Sequence, residues 1–255
     1  MKKALRVAGL RLVEQGKRRL KAVPWLRSMP LMRYTYLFDV STGIVVPELE
    51  MCFVPTPKVA NRSMKAAIAS VVLPGYHGDP HLAGWQYRPV SALRQTGFSG
   101  FGFVRNPLDR LYSCYTQKIV LYGRLKNMPL EFWRYGETFR SDMTFEEFVH
   151  AVAGIPDRMA DIHFRSQHRF LYFRGEPTVD FIGRFEALDR DWGQVREQFG
   201  LPALAHYNRS PHRSYVEAYT PALARVAAAR YEQDIRLFGY EGEVAALTES
   251  AVPGK

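Results

Sequence analysis

Only two cysteines, Cys52 and Cys114, occur in the 255 residues. That scarcity excludes a disulfide framework and a cysteine-built zinc site. Cys52 lies in an apolar run and Cys114 in a helical pattern, so both read as buried free thiols. No apolar run approaches the ~20 residues a membrane helix needs, and the long apolar region of a secretory signal is also missing. The chain has no repeats and no low-complexity tract. It lacks the glycines and the Gly-Lys-Ser/Thr ending of a nucleotide-triphosphate loop, and a magnesium-binding Asp after a strand, which counts against a kinase. What remains is ordinary globular composition, 47% hydrophobic and 24% charged. The length fits one large α/β domain or two small ones, with a core that needs no disulfides.

Acidic charge is nearly absent from one end. Residues 1–36 hold ten Lys and Arg against one acid, Glu14, so they carry +9 of the net +10 and the rest of the chain +1. This arm shows helical spacing of Leu5, Ala8, Leu12, Leu20 and Val23. It reads as a basic amphipathic helix, packed on the domain or laid on an anionic membrane surface. The charges are not joined to a stacking platform or a reader motif, so no nucleic acid partner is expected. The expected organisation is an arm over 1–36, one domain over 37–245 and a tail over 246–255.

Two segments carry the chemistry. The first runs Met51-Cys-Phe-Val-Pro-Thr-Pro-Lys58-Val-Ala60-Asn61-Arg62-Ser63-Met-Lys65. It reads as a short buried strand, a polar turn and a helix from Asn61 to about Val72. The second runs Gly102-Phe-Val-Arg105-Asn106-Pro107-Leu-Asp-Arg110-Leu-Tyr-Ser113. Here a strand over 100–104 enters a helix started by an Asn cap and a first-turn proline and running to about Tyr122. A strand that ends in such a turn before a helix is how α/β proteins hold phosphate. Lys58, Ala60, Asn61, Arg62 and Ser63 offer an ammonium, a guanidinium, a hydroxyl and backbone N–H groups for one anion. Arg105 and Ser113, two turns along one helix face, converge on another. Further signals are a capping box at Thr144–Glu147, a third strand over 179–183, a helix over 189–199 and a last helix from Thr220-Pro221 reaching Ile235. The alternation of strand and helix argues for a parallel sheet flanked by helices. The stretch 73–87, rich in Gly, Pro and His, reads as a loop.

These segments resemble the sulfotransferases that use 3′-phosphoadenylyl sulfate, in particular the branch acting on carbohydrates. Pro57-Lys58 is similar to that family's loop for the 5′-phosphosulfate. Arg105-Asn106-Pro107 with a serine eight residues past the arginine, Ser113, is similar to its 3′-phosphate site. Ile162-His163-Phe164-Arg165-Ser166-Gln167, Asp180–Glu186 and Tyr219-Thr-Pro through Leu237-Phe-Gly-Tyr240 also look like family stretches, in consistent order over about residues 50–240. Asn61-Arg62-Ser63 departs from the hydroxyl-rich triplet usual there.

The resemblance implies a P-loop-like α/β fold and transfer of a sulfuryl group to a hydroxyl of a glycan or glycolipid, with no metal. Other readings are a lipid or small-alcohol acceptor, a kinase, or a non-catalytic binding protein of the same fold. It implies that Lys58 stabilises the leaving oxygen and that His81, or else His77, is the general base. It further implies that Arg213 adds a contact to the 3′-phosphate from a loop over 208–215. His163, Arg165 and Gln167 are expected to face the acceptor. No counterpart of the transmembrane anchor common in animal Golgi members is expected. The expected setting is therefore a bacterial cytoplasm, with the basic arm a candidate for contact with the inner membrane face.

Overall fold

The computed structural model describes residues 41–124, 129–205 and 215–249. The basic arm, Arg213 and most of the 208–215 loop lie outside them. In chain order the principal elements are β1 (Thr42–Val46), β2 (Met51–Val54), α1 (Asn61–Val72), β3 (Gln86–Pro89), β4 (Ser99–Val104), α2 (Pro107–Tyr115), α3 (Phe145–Ala153), β5 (Phe181–Arg184), α4 (Leu188–Phe199), α5 (Pro221–Arg230) and α6 (Glu232–Phe238). The described residues form two interleaved compact units, 41–104 with 170–205 and 105–169 with 215–249.

The first unit is built on a five-stranded sheet in the order β3-β1-β2-β4-β5. β2, β4 and β5 are parallel, with Val54 opposite Gly102 and Phe103 opposite Gly183. β1 is antiparallel to both β2 and β3. The expected parallel sheet is thus present as a three-stranded core with an antiparallel edge. All four residues of β3 are exposed, so its sequence carries no buried-face periodicity and reads as loop. Parallel pairing places the C-terminal ends of β2 and β4 on the same edge of the sheet.

Strand alternation sorts the two faces of that sheet. Phe53 stacks on Phe101 at 4.9 Å between ring centroids. Both join Phe103 in a buried cluster with Met64 and Ile68 of α1 and Trp192 and Val195 of α4. Burying each such side chain is worth ~1.5–3 kcal/mol. The other face of β4 presents Gly100 and Gly102 instead. A Cβ at Gly102 would lie 2.4 Å from Leu171 Cδ2, and one at Gly100 would lie 3.2 Å from the Val179 backbone. A side chain at either position would make these neighbours shift, and glycine lets them approach the strand closely.

The second unit is helical around an aromatic core. Phe132, Phe139, Phe148 and Phe164 are all buried, with Phe132 and Phe139 4.7 Å apart. The Asn106 side chain caps α2 by accepting from Leu108 N–H at 2.9 Å. The helix continues as a π-helical stretch over Thr116–Leu121. The capping box is present: Thr144 Oγ1 accepts from Glu147 N–H at 3.2 Å, and the Glu147 carboxylate accepts from Thr144 N–H at 2.7 Å. The last predicted helix breaks at Tyr231, whose φ of −114° and ψ of 21° leave the helical region. Its buried hydroxyl donates to Phe164 C=O at 2.7 Å, and that anchor fixes the kink between α5 and α6.

Candidate functional site

In the first unit, the chain between β2 and α1 is conformationally unusual. Lys58 and Ala60 both have left-handed backbone, with φ of 72° and 47°. Neither is glycine, and such residues cost of order 1–3 kcal/mol each unless the surroundings hold them. Pro55 and Pro57 stiffen the approach. Ala60 is the N-cap of α1, no side chain caps it and no acid lies in the first turn. The N–H groups of that turn have no acceptor within the helix and present the positive end of its dipole. Lys58 is half-buried, Arg62 exposed and Ser63 buried. The loop therefore offers an anion backbone N–H groups, an ammonium and a hydroxyl. Thr56 adds to the set. It is 1% exposed and its Oγ1 has no hydrogen-bond partner among the described residues, which is costly for a buried hydroxyl and rare.

The histidine loop packs against the same helix. His81 Nδ1 lies 3.4 Å from Lys65 Nζ, and its backbone N–H donates to Asp79 Oδ1 at 3.0 Å. Lys65 is 5% exposed and also donates to Tyr87 Oη at 3.2 Å. Burial pushes the Lys65 ammonium down to about 8, partly countered by the Asp79 carboxylate. His77 is exposed on the loop. Neither Lys65 nor Thr56 is marked by a sequence motif. A lysine inside a helix reads as surface, and its partners lie 16 and 22 residues away.

In the second unit, Arg105 is 5% exposed and Ser113 7%. The guanidinium is held by Asp109, one turn into α2, through two bonds of 2.7 Å. Its backbone is held as firmly. Arg105 N–H donates to Gln167 Oε1 at 2.9 Å, and Gln167 Nε2 donates to Arg105 C=O at 2.7 Å. Gln167 is fully buried, and its own N–H donates to Asp234 Oδ2 at 2.6 Å. Asp234 also accepts from the His168 N–H at 2.9 Å and pairs with its Nδ1 at 2.7 Å. Gln167, expected to face the acceptor, is thus placed to fix Arg105.

Arg165 is placed similarly. It is 5% exposed, and its Nε and one terminal nitrogen donate to Ala160 C=O at 3.1 and 2.8 Å. The fully buried Arg110 donates to the carbonyls of Arg165 and Ile162 at 2.8 and 3.0 Å and so pins the 162–165 loop. His163 keeps a fifth of its side chain exposed, and its Nδ1 is 2.6 Å from Asp161. Burial opposes ionisation of Asp161, but His163 and Arg134 outweigh it and hold the carboxyl at about 2.

No cluster of three or more His, Cys, Asp or Glu suited to a metal occurs among the described residues. Nor is any described helix long and apolar enough to cross a membrane. Cys52 and Cys114 are both buried.

A family model described as "Sulfotransferase family" matches residues 42–241. Carbohydrate sulfotransferase 10 of Rattus norvegicus and of Homo sapiens are each 24% identical to the chain over 245 residues, covering 80% of it and 68% of their own length. Carbohydrate sulfotransferase 11 of Mus musculus is 24% identical over 243 residues, covering 79% and 68%. No solved structure gives a significant match. With its mostly parallel sheet and a match that spans both cationic segments, the chain belongs to the sulfotransferase family and is a transferase enzyme.

Proposed function

We propose that the protein transfers a sulfuryl group from 3′-phosphoadenylyl sulfate to a hydroxyl of a carbohydrate, releasing adenosine 3′,5′-bisphosphate. The observation that carries this reading is the loop after β2. Left-handed backbone at Lys58 and Ala60 feeds an uncapped helix start, a form suited to a dianionic group. In the proposal Lys58, the first-turn N–H groups, Thr56 and Ser63 hold the phosphosulfate. Arg105, oriented by Asp109 and Gln167, holds the 3′-phosphate with Ser113. That the similar proteins are carbohydrate sulfotransferases supports a carbohydrate acceptor.

The acceptor oxygen attacks sulfur in line and the bond from sulfur to the bridging phosphate oxygen breaks. As in phosphoryl transfer, positioning and charge stabilisation carry most of the rate. Lys58 is the group that meets charge developing on the leaving oxygen. The test is transfer of radiolabelled sulfate from 3′-phosphoadenylyl sulfate to a panel of tagged oligosaccharides. The reading expects label in at least one sugar, matched mole for mole by released bisphosphate. Bisphosphate release without labelled sugar or any other labelled product would reduce the activity to donor hydrolysis and overturn the proposed transfer.

A further inference from the structure

Lys65 is a buried ammonium that the reaction above does not use. It lies four residues after Asn61, so ~6 Å along the helix axis from the start of α1. An ammonium has three donors and no acceptor. While Lys65 is charged, His81 Nδ1 must therefore offer it a lone pair, and a neutral ring carries its one proton on Nε2. In that state the ring is a donor and not a base. When Lys65 is neutral the roles invert: Nδ1–H donates to the amine, and the lone pair sits on Nε2.

We propose that Lys65 is the positioning residue that sets which nitrogen of His81 carries the proton, and so decides whether His81 accepts the proton of the attacking hydroxyl. The inference rests on the sulfuryl-transfer reading for its chemistry but not for its geometry. With Lys65 neutral, the hydroxyl proton goes to Nε2 as the oxygen–sulfur bond forms. Nδ1 passes its proton to Nζ. The bisphosphate leaves with the electron pair of the broken bond. The step ends with a neutral His81 and a charged Lys65, which later loses its proton to water.

The groups facing Lys65 are His81, the Tyr87 hydroxyl from β3 and the more distant Asp79. Tyr87 is exposed overall, yet desolvation raises its phenol, so it stays protonated and accepts from Lys65 in both states. With Lys65 at about 8, the base form appears as pH rises through that value. The rate should rise with it.

The direct test is 15N–1H long-range NMR of the His81 ring, assigned by its absence in His81→Asn. The wild type should carry the proton on Nε2 at pH 7 and on Nδ1 at pH 9, and Lys65→Met should lose this switch. In parallel, pH–rate profiles are taken for sulfate transfer to p-nitrophenyl β-galactoside and p-nitrophenyl β-glucuronide. In Lys65→Met the rising limb should move to the ordinary histidine range near ~6.5, which raises the share of maximal rate at pH 6.5 about fifteen-fold over the wild type. Lys65→Arg stays charged and should lose about 100-fold at pH 9, with a flat profile where the wild type rises. A merely structural cation would give the reverse order, with Arg tolerated and Met damaging. An active wild type whose His81 keeps one tautomer at both pH values overturns the switch. A wild type that transfers nothing but still switches tautomer sinks the reaction reading and leaves the switch standing.

Discussion

Replacing Lys58 by alanine should lower turnover by about 10²–10³-fold, or ~3–4 kcal/mol of transition-state stabilisation. Affinity for adenosine 3′,5′-bisphosphate should change less than about threefold, because in the proposed reaction the lysine acts on charge that develops only as the bond to sulfur breaks. The substitution is a clean one here. Lys58 has left-handed backbone, and alanine carries the same Cβ, so the local strain is unchanged. Lys58→Gly should lose the same rate while gaining stability, since glycine adopts this conformation without strain. Single-turnover rates with labelled donor, beside bisphosphate titrations, separate the two effects. Equal losses in turnover and bisphosphate affinity would make Lys58 a binding group only.

The second large effect concerns an acid far from either loop in sequence. Asp234 is fully buried and serves the N–H groups of Gln167 and His168 and the His168 ring. Asp234→Ala should cost about 3–5 kcal/mol of stability, because those buried donors lose a charged acceptor. Chemical unfolding measures this directly. Gln167→Ala should cost less stability but weaken donor binding about tenfold or more, because Arg105 loses both backbone bonds that aim it. Should Gln167→Ala destabilise the fold and leave donor affinity intact, the clamp is structural and has no part in binding.

Much of this fold is legible in the sequence where local chemistry states it. Asn106-Pro107 and the Thr144–Glu147 box mark helix starts that the structure reproduces. The buried strands β2 and β4 read as short apolar runs. Strand β3 does not, because its exposed side chains carry no buried face. The kink at Tyr231 is equally hidden, since its cause is a bond to a carbonyl 67 residues earlier. The candidate site divides the same way. Lys58, Arg105 and Ser113 are visible through spacing. Gln167 looks like a ligand-facing amide until its two bonds to Arg105, 62 residues away, are seen. Arg165 is similar, for its guanidinium is turned to Ala160 C=O. Lys65 and Thr56 are found only through burial, a property of the whole fold.

The central claim is that the two cationic segments recognise the two phosphates of one sulfuryl donor. Thermal unfolding with adenosine 3′,5′-bisphosphate, set beside ATP with magnesium, tests it most directly. At a hundredfold excess over Kd the bisphosphate should add about 2.7 kcal/mol, which raises Tm by roughly 5–10 °C for a chain of this size. Arg105→Ala and Ser113→Ala should each shrink that shift, and ATP with magnesium should give little. Stabilisation by ATP with magnesium and none by the bisphosphate would contradict the account.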